Sequence, residues 1–98
     1  MISAIRTFTI QDGKLQQASQ LAVKAANYAN SIGGNVHIER NISGTTNQLH
    51  IIDEYESLAA WESAMNNLPP DEKLGEMRTE FNKLVVGSST VRFVERIS

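Results

Sequence analysis

Apolar and polar positions alternate from the start of the chain. Ile2, Ala4, Phe8 and Ile10 share one parity, with Arg6 among them, while Ser3, Thr7 and Thr9 take the other with Ile5. Period-two alternation is the mark of a half-buried strand, so residues 2–10 are predicted to form one. Asp12-Gly13 then breaks the pattern, with Asp12 placed to cap a helix. From residue 14 to 32 the period changes. Leu15, Ala18, Ala22, Ala25, Ala29 and Ile32 recur at steps of three and four, which gives a helix with one apolar stripe. That stripe is mostly alanine, so the helix can lie close to whatever it covers. Gly33-Gly34 supplies its stop.

Alternation returns in residues 35–42 and 48–55, around the turn-forming loop Ser43-Gly44-Thr45-Thr46-Asn47. Pairing Ile42 with Leu49 sets Ile38 opposite Asp53, Arg40 opposite Ile51 and Val36 opposite Tyr55. One face then collects Val36, Ile38, Ile42, Leu49, Ile51 and Tyr55, and the other His37, Glu39, Asn41, His50, Ile52 and Glu54. A slip of one residue would mix the two sets, so the hydrophobic pattern selects this parity. Ser57 can cap a helix carrying Leu58, Trp61, Met65 and Leu68, which Pro69-Pro70 ends. Asp71 can cap a second helix with Leu74, Met77, Phe81 and Leu84, closing near Gly87. A last strand spans 90–97, with Val91, Phe93 and Ile97 opposite Arg92, Val94 and Arg96.

The order strand, helix, strand, strand, helix pair, strand is that of a ferredoxin-like α+β fold, βαββαβ, with a four-stranded antiparallel sheet. Helices on one side leave the other face of the sheet uncovered. That second face is only half polar, since Ile5, Ile52 and Val94 stand among Thr7, His37, His50 and Arg92. Such a surface suits a partner sheet better than bulk water.

With 98 residues the chain is read as one domain, 1–98, and it is too short for a barrel enzyme of eight βα units. A domain this small has little core of its own, and oligomerising is a common remedy. Nine basic against eleven acidic residues give a net charge of −2, which argues against a nucleic-acid partner. The absence of cysteine excludes disulfides and thiolate chemistry. No apolar run approaches the ~20 residues of a membrane helix, and MISAIRTFTI lacks the apolar core of a signal peptide. The cytoplasm is the expected compartment. Asn41-Ile42-Ser43 fits a glycosylation sequon, a chance match in an unsecreted chain.

The element order, the length and the segment from Ile52 to Leu84, IDEYESLAAWESAMNNLPPDEKLGEMRTEFNKL, together resemble the dimeric α/β-barrel superfamily. The likeness lies in an aromatic strand end, a Ser-capped helix bearing an aromatic, a break, and a second amphipathic helix. It implies a homodimer in which two ferredoxin-like sheets pack face to face. Members of that superfamily include antibiotic-biosynthesis-type monooxygenases, heme-degrading monooxygenases and stress-responsive proteins. Its oxygenases often place a histidine on the helix pair, whereas residues 56–87 here contain none. A heme role therefore loses its usual axial ligand, and no heme, flavin or zinc is expected.

Four charged residues, Arg6, Arg40, Asp53 and Glu95, carry the parity of the helix-facing side and sum to zero. Buried charges demand partners, so pairing is expected, with Arg40 diagonal to Asp53 and both acids near Arg6. Such pairs either fasten the rim of the sheet or form the polar floor of a cleft that orients a ligand carboxylate or carbonyl. Tyr55, Trp61, Met65 and Phe81 either fill the core or line that cleft. His37 and His50 share a face but stand four positions apart in this register, roughly 13 Å, too far to bind one metal ion. The leading functional expectation is a homodimer that binds a small apolar or aromatic anion between sheet and helices through Arg6, Arg40, Asp53, Tyr55, Trp61, Met65 and Phe81. The resemblance implies an alternative, a cofactor-independent monooxygenase acting on a quinol-like aromatic. A structural dimer with no ligand is the third reading.

Overall fold

A computed structural model describes residues 1–67 and 70–98. Strands β1 (Ile2–Thr9), β2 (Val36–Arg40), β3 (Gln48–Tyr55) and β4 (Thr90–Glu95) alternate with helices α1 (Leu15–Ser31), α2 (Leu58–Asn66) and α3 (Glu72–Asn82). The sheet is antiparallel in the order β2-β3-β1-β4, which is the expected ferredoxin-like topology. Leu68 and Pro69, assigned above to the end of the first helix of the pair, lie outside the described residues.

Local chemistry sets the helix ends. The chain turns before α1 as the Lys14 amide donates to the Gln11 carbonyl at 3.0 Å, with Gly13 at φ +78°. A positive φ at the third position of a turn suits glycine. This turn moves the helix start past Asp12, so Lys14 occupies the cap position without a side-chain bond and the expected Asp12 cap does not form. At the other end, Gly34 N–H donates to the Ala29 carbonyl and Gly33 N–H to that of Asn30, while Gly33 adopts φ +104°. This paired motif satisfies carbonyls that helix ends leave open. Ser57 and Asp71 cap as expected, accepting from the Ala60 and Leu74 amides at 3.1 and 3.0 Å. Asp71 also accepts from the Tyr28 hydroxyl at 2.9 Å, which ties the start of α3 to α1.

The β2–β3 hairpin keeps the expected parity but sits two residues away from the expected register. Val36 faces Asp53, Ile38 faces Ile51 and Arg40 faces Leu49. A slip of two leaves every side chain on its face, so the hydrophobic pattern alone does not resolve it. The connecting loop does: Asn41 bonds to the Thr45 carbonyl and the Gln48 side chain, closing residues 41–47 as a loop longer than a tight turn. Strands β2 and β4 also end earlier than expected, at Arg40 and Glu95.

The main cluster of the core lies at one end of the sheet, and Ile2, Ala4, Ala26 and Ile52 are buried outside it. Ile10, Leu49, Phe81 and Leu84 pack with Ala18 and Ala22 of α1, flanked by Phe8, Leu15, Ile38 and Ile51. The phenyl rings of Phe8 and Phe81 meet edge to face, with centroids 5.1 Å apart. Past α3 the chain is stitched to the end of β1, as Gln11 N–H donates to Leu84 O and Val86 N–H to Thr9 O. At α1 the buried residues are Ala18, Ala22 and Ala26, whereas Ile32 is exposed. Alanines let α1 approach the sheet closely. At the opposite end of the sheet lies α2, which buries none of its residues. Its main aromatic contact is Trp61 against Phe93, centroids 4.7 Å apart.

Beyond the helix-facing side chains, the other face carries Ser3, Ile5, Thr7, His37, Glu39, His50, Ile52, Glu54, Arg92 and Val94 by register. On β2, the Asn30 side chain both accepts from the Val36 amide and donates to its carbonyl, each at 2.8 Å. Among the described residues, no helix is long and apolar enough to cross a membrane.

Candidate functional site

Arg6 lies on central strand β1, opposite Ile51 of β3 and Val91 of β4. Its parity points the side chain to the helix-covered face. Asp53 is diagonal to it, opposite Ala4 and Val36. The guanidinium Nη2 donates to Asp53 Oδ2 at 3.2 Å. The two ends of this pair differ: the Asp53 side chain is 12% exposed, the Arg6 side chain 41%. A cation on the helix-covered face thus still reaches solvent, because α2 covers its end of the sheet loosely.

Electrostatics follow burial. Loss of solvent holds the Asp53 carboxyl above the usual aspartate range, with the Arg6 charge and hydrogen bond pulling the other way. Tyr55, half-buried and opposite Ile2, is raised first by burial and then by the charge of Asp53, against the opposing effect of Arg6. The cluster therefore holds a fixed cation beside two groups that keep their protons more tightly than usual. Its open side can pair with an anion through Arg6.

Not all the expected residues join it. Trp61 stands over Phe93, itself opposite Ala4, and so forms an aromatic wall near the Arg6–Asp53 pair. Met65 lies one helical turn further along α2 and is exposed. Phe81 is 6% exposed and belongs to the main core with Ile10, Leu49 and Leu84, at the other end of the sheet. Arg40 is exposed on edge strand β2 opposite Leu49, four positions along β3 from Asp53. The expected diagonal pair of Arg40 with Asp53 does not form, because the register is shifted by two. Glu95 faces Ile2, four positions from Arg6's neighbour Val91, and so is not beside Arg6. Two shallow concavities on the outer sides of α1 and α3, around Val23 and Gly75, include none of these residues.

Sequence reasoning missed Phe93 and Val91 as neighbours of the site. Their parity was legible, but the register of β4 against β1 was not. The two histidines also stand nearer than expected. His37 faces Ile52, so His37 and His50 are diagonal neighbours, at roughly 7–8 Å, instead of four positions apart. His37 pairs with Glu39 at 3.3 Å, and His50 with Thr7 and Asn41 at 2.8 Å each. Among the described residues, no group of three or more His, Asp or Glu converges as a metal site.

No protein-family model matches the chain, and no curated protein matches it in sequence. Solved structures do match in shape. An uncharacterized NIPSNAP domain protein from Burkholderia xenovorans superposes with a TM-score of 0.81 at 14% identity, over 100% of this chain and 96% of that one. A NIPSNAP family protein from Agrobacterium tumefaciens gives 0.77 at 21% identity, covering 96% and 90%. An antibiotic biosynthesis monooxygenase gives 0.73 at 12% identity, covering each chain completely. The chain accordingly has the ferredoxin-like α+β fold that these NIPSNAP and antibiotic biosynthesis monooxygenase structures also have.

Proposed function

We propose that this protein is a homodimer that binds a small aromatic anion between the sheet and α2. One observation carries the ligand reading: Arg6 keeps 41% of its side chain exposed on the face that the helices cover, while its partner Asp53 is nearly closed off. A guanidinium that only fastened two strands would not need an open side. Pockets of this kind pair apolar walls with one or two placed polar groups, and Trp61, Phe93 and Tyr55 supply the walls. Among the residues first expected at the site, Arg6, Asp53, Tyr55 and Trp61 fit this reading best. Dimerisation is supported by the outer face, where Val94 is 41% exposed and Ile5 half-buried beside the buried Ile52, with no helix over them.

Trp61 is the only tryptophan, so its emission reports on the site. Adding 1-hydroxy-2-naphthoate should shift that emission, and Arg6→Met should weaken the naphthoate at least tenfold more than neutral 1-naphthol. If neither compound shifts Trp61 at millimolar concentration, the ligand reading fails and a structural dimer remains. Val94→Asp, at the exposed end of this apolar group, should turn a sedimenting dimer into a monomer. A wild-type protein that is monomeric at micromolar concentration rejects the dimer.

The carboxylate of Asp53 held at 3.2 Å from the Arg6 guanidinium favours a second reading, a cofactor-independent monooxygenase. In it Asp53 takes the proton of a quinol-like substrate, Arg6 steadies the resulting anion, and molecular oxygen is the oxidant; one oxygen atom enters the product and the other leaves as water. Oxygen uptake on adding a naphthalene-diol, lost in Asp53→Asn, is the result this reading requires.

A further inference from the structure

We propose that protonation of His50 on the outer sheet face weakens the dimer, making self-association sensitive to acid. This rests on the dimer reading above. The device is a chain of three side chains, Thr7 of β1, His50 of β3 and Asn41 beyond β2. Thr7 Oγ1 lies 2.8 Å from His50 Nδ1, and His50 Nε2 lies 2.8 Å from Asn41 Oδ1.

The Asn41 amide fixes the direction of every hydrogen bond in the chain. Its Nδ2 donates to the Thr45 carbonyl at 2.7 Å and to Gln48 Oε1 at 3.1 Å. The amide oxygen must therefore be the atom facing the imidazole, and Nε2 must carry a hydrogen to donate to it. In the neutral ring Nδ1 is then an acceptor, and the Thr7 hydroxyl donates to it. A second proton on the ring occupies Nδ1. The Thr7 hydroxyl must then rotate, accept from Nδ1–H and direct its own hydrogen elsewhere. One protonation thus adds a positive charge and turns Thr7 Oγ1 from a donor to His50 into an acceptor from it.

The surroundings decide the sign. Strand β1 brings Ser3, Ile5, Thr7 and Thr9 to this face and no charge. From β2 come Glu39, directly opposite His50, and His37, whose Nε2 already holds Glu39 Oε2 at 3.3 Å. Glu54 lies four positions along β3, and β4 contributes Arg92, opposite Ile5. A second sheet laid on this face would strip water from the imidazolium while Glu39 is engaged elsewhere. Burial disfavours the charged form, so the proton goes to the separated chains. With one proton per copy, the dissociation constant rises by up to ~100-fold per pH unit in the limiting case.

A hydroxyl, an imidazole and an amide in series are also the order of a nucleophile, its base and an orienting group. Here β1 is bonded on both sides, to β3 and β4, so its backbone N–H groups are spent in the ladders. None is left beside Thr7 to hold an oxyanion, which favours the proton switch over hydrolysis.

Sedimentation velocity at pH 8.0 and 5.5, with far-UV circular dichroism at both, tests the proposal. Wild type should lose at least tenfold in dimer affinity at pH 5.5 with its fold intact. His50→Gln, whose amide can accept from Thr7 and donate to Asn41 but does not titrate, should dimerise equally at both. His37→Gln should keep the wild-type response. A dimer of unchanged affinity, a His50→Gln protein that still responds, or dissociation accompanied by loss of the far-UV signal each overturns the switch and leaves the dimer standing. A monomer at both pH values overturns the switch together with the dimer.

Discussion

Replacing Phe81 and Trp61 by alanine, one at a time, separates a filled core from an open cleft. Both are aromatic residues on the helix pair, and sequence spacing treats them alike. The Phe81 ring is enclosed by Phe8, Ile10, Leu49 and Leu84. Burying a phenyl group removes on the order of 200 Å² from water, worth up to ~5 kcal/mol at ~25 cal/mol per Å². Measured truncations of this type cost about 3–5 kcal/mol, so Phe81→Ala should cost about 4 kcal/mol. Trp61 loses an edge-to-face contact worth ~1 kcal/mol and part of its buried area. It stands on a helix with no buried residue, so truncation leaves an opening to solvent and no sealed cavity. Trp61→Ala should therefore cost only about 2 kcal/mol, roughly the transfer of the part that is covered. Urea unfolding followed by far-UV circular dichroism is the assay, since Trp61→Ala removes the fluorophore. At a slope near ~1 kcal/mol per molar urea, the two midpoints should differ by about 2 M. Equal losses for the two variants would mean that α2 seals its end of the sheet as tightly as α3 does, and the cleft would be gone.

Two further tests use the carboxylates. Asp53 holds its proton above the usual aspartate range, so its stabilising contribution is complete below the unfolded value and is lost as pH rises through the folded one. Asp53→Asn should therefore gain stability relative to wild type between pH 3 and pH 7 in urea midpoints, and a widening deficit would refute the burial argument. Asp71 is the opposite case. The Leu74 amide and then the Tyr28 hydroxyl hold its carboxyl below the usual range, so its contribution is present above the unfolded value and is lost as pH falls through the folded one. Asp71→Ala should be destabilised at pH 7 and converge on wild type in strong acid, whereas a deficit independent of pH would exclude a role for the charge.

The parity of each strand was legible because side chains alternate with a fixed period, and one face of each strand is apolar. Ser57 and Asp71 were legible because a helix start needs an acceptor three residues before a free amide, and both are followed by amphipathic runs. Register was harder. A two-residue slip of β2 against β3 costs nothing in hydrophobic pattern, and only the side-chain bonds of Asn41 distinguish the two pairings. That slip is what separated Arg40 from Asp53 and brought His37 close to His50. Depth was harder still. Helical spacing placed Trp61 and Phe81 on inward faces without saying that one meets the edge strand β4 and the other the center of the core. The Asp12 cap failed because a glycine turn intervened before the helix.

The amide of Asn30 gives one edge of the sheet an end. Glu54 N–H donates to the Asn35 carbonyl, so along β2 the odd-numbered residues bond inward and Val36 turns its peptide groups outward. Both of those groups are taken by Asn30, which sits there as a one-residue mimic of a neighbouring strand. Unfinished edges recruit other chains, and head-to-tail joining of two different edges does not close but grows into filaments. On β2 only Ile38 and Arg40 still turn outward, too few for a stable ladder. Runaway growth along the hydrogen-bonding direction, which needs two edges to join head to tail, is blocked at that edge by a side chain from the chain's own first helix.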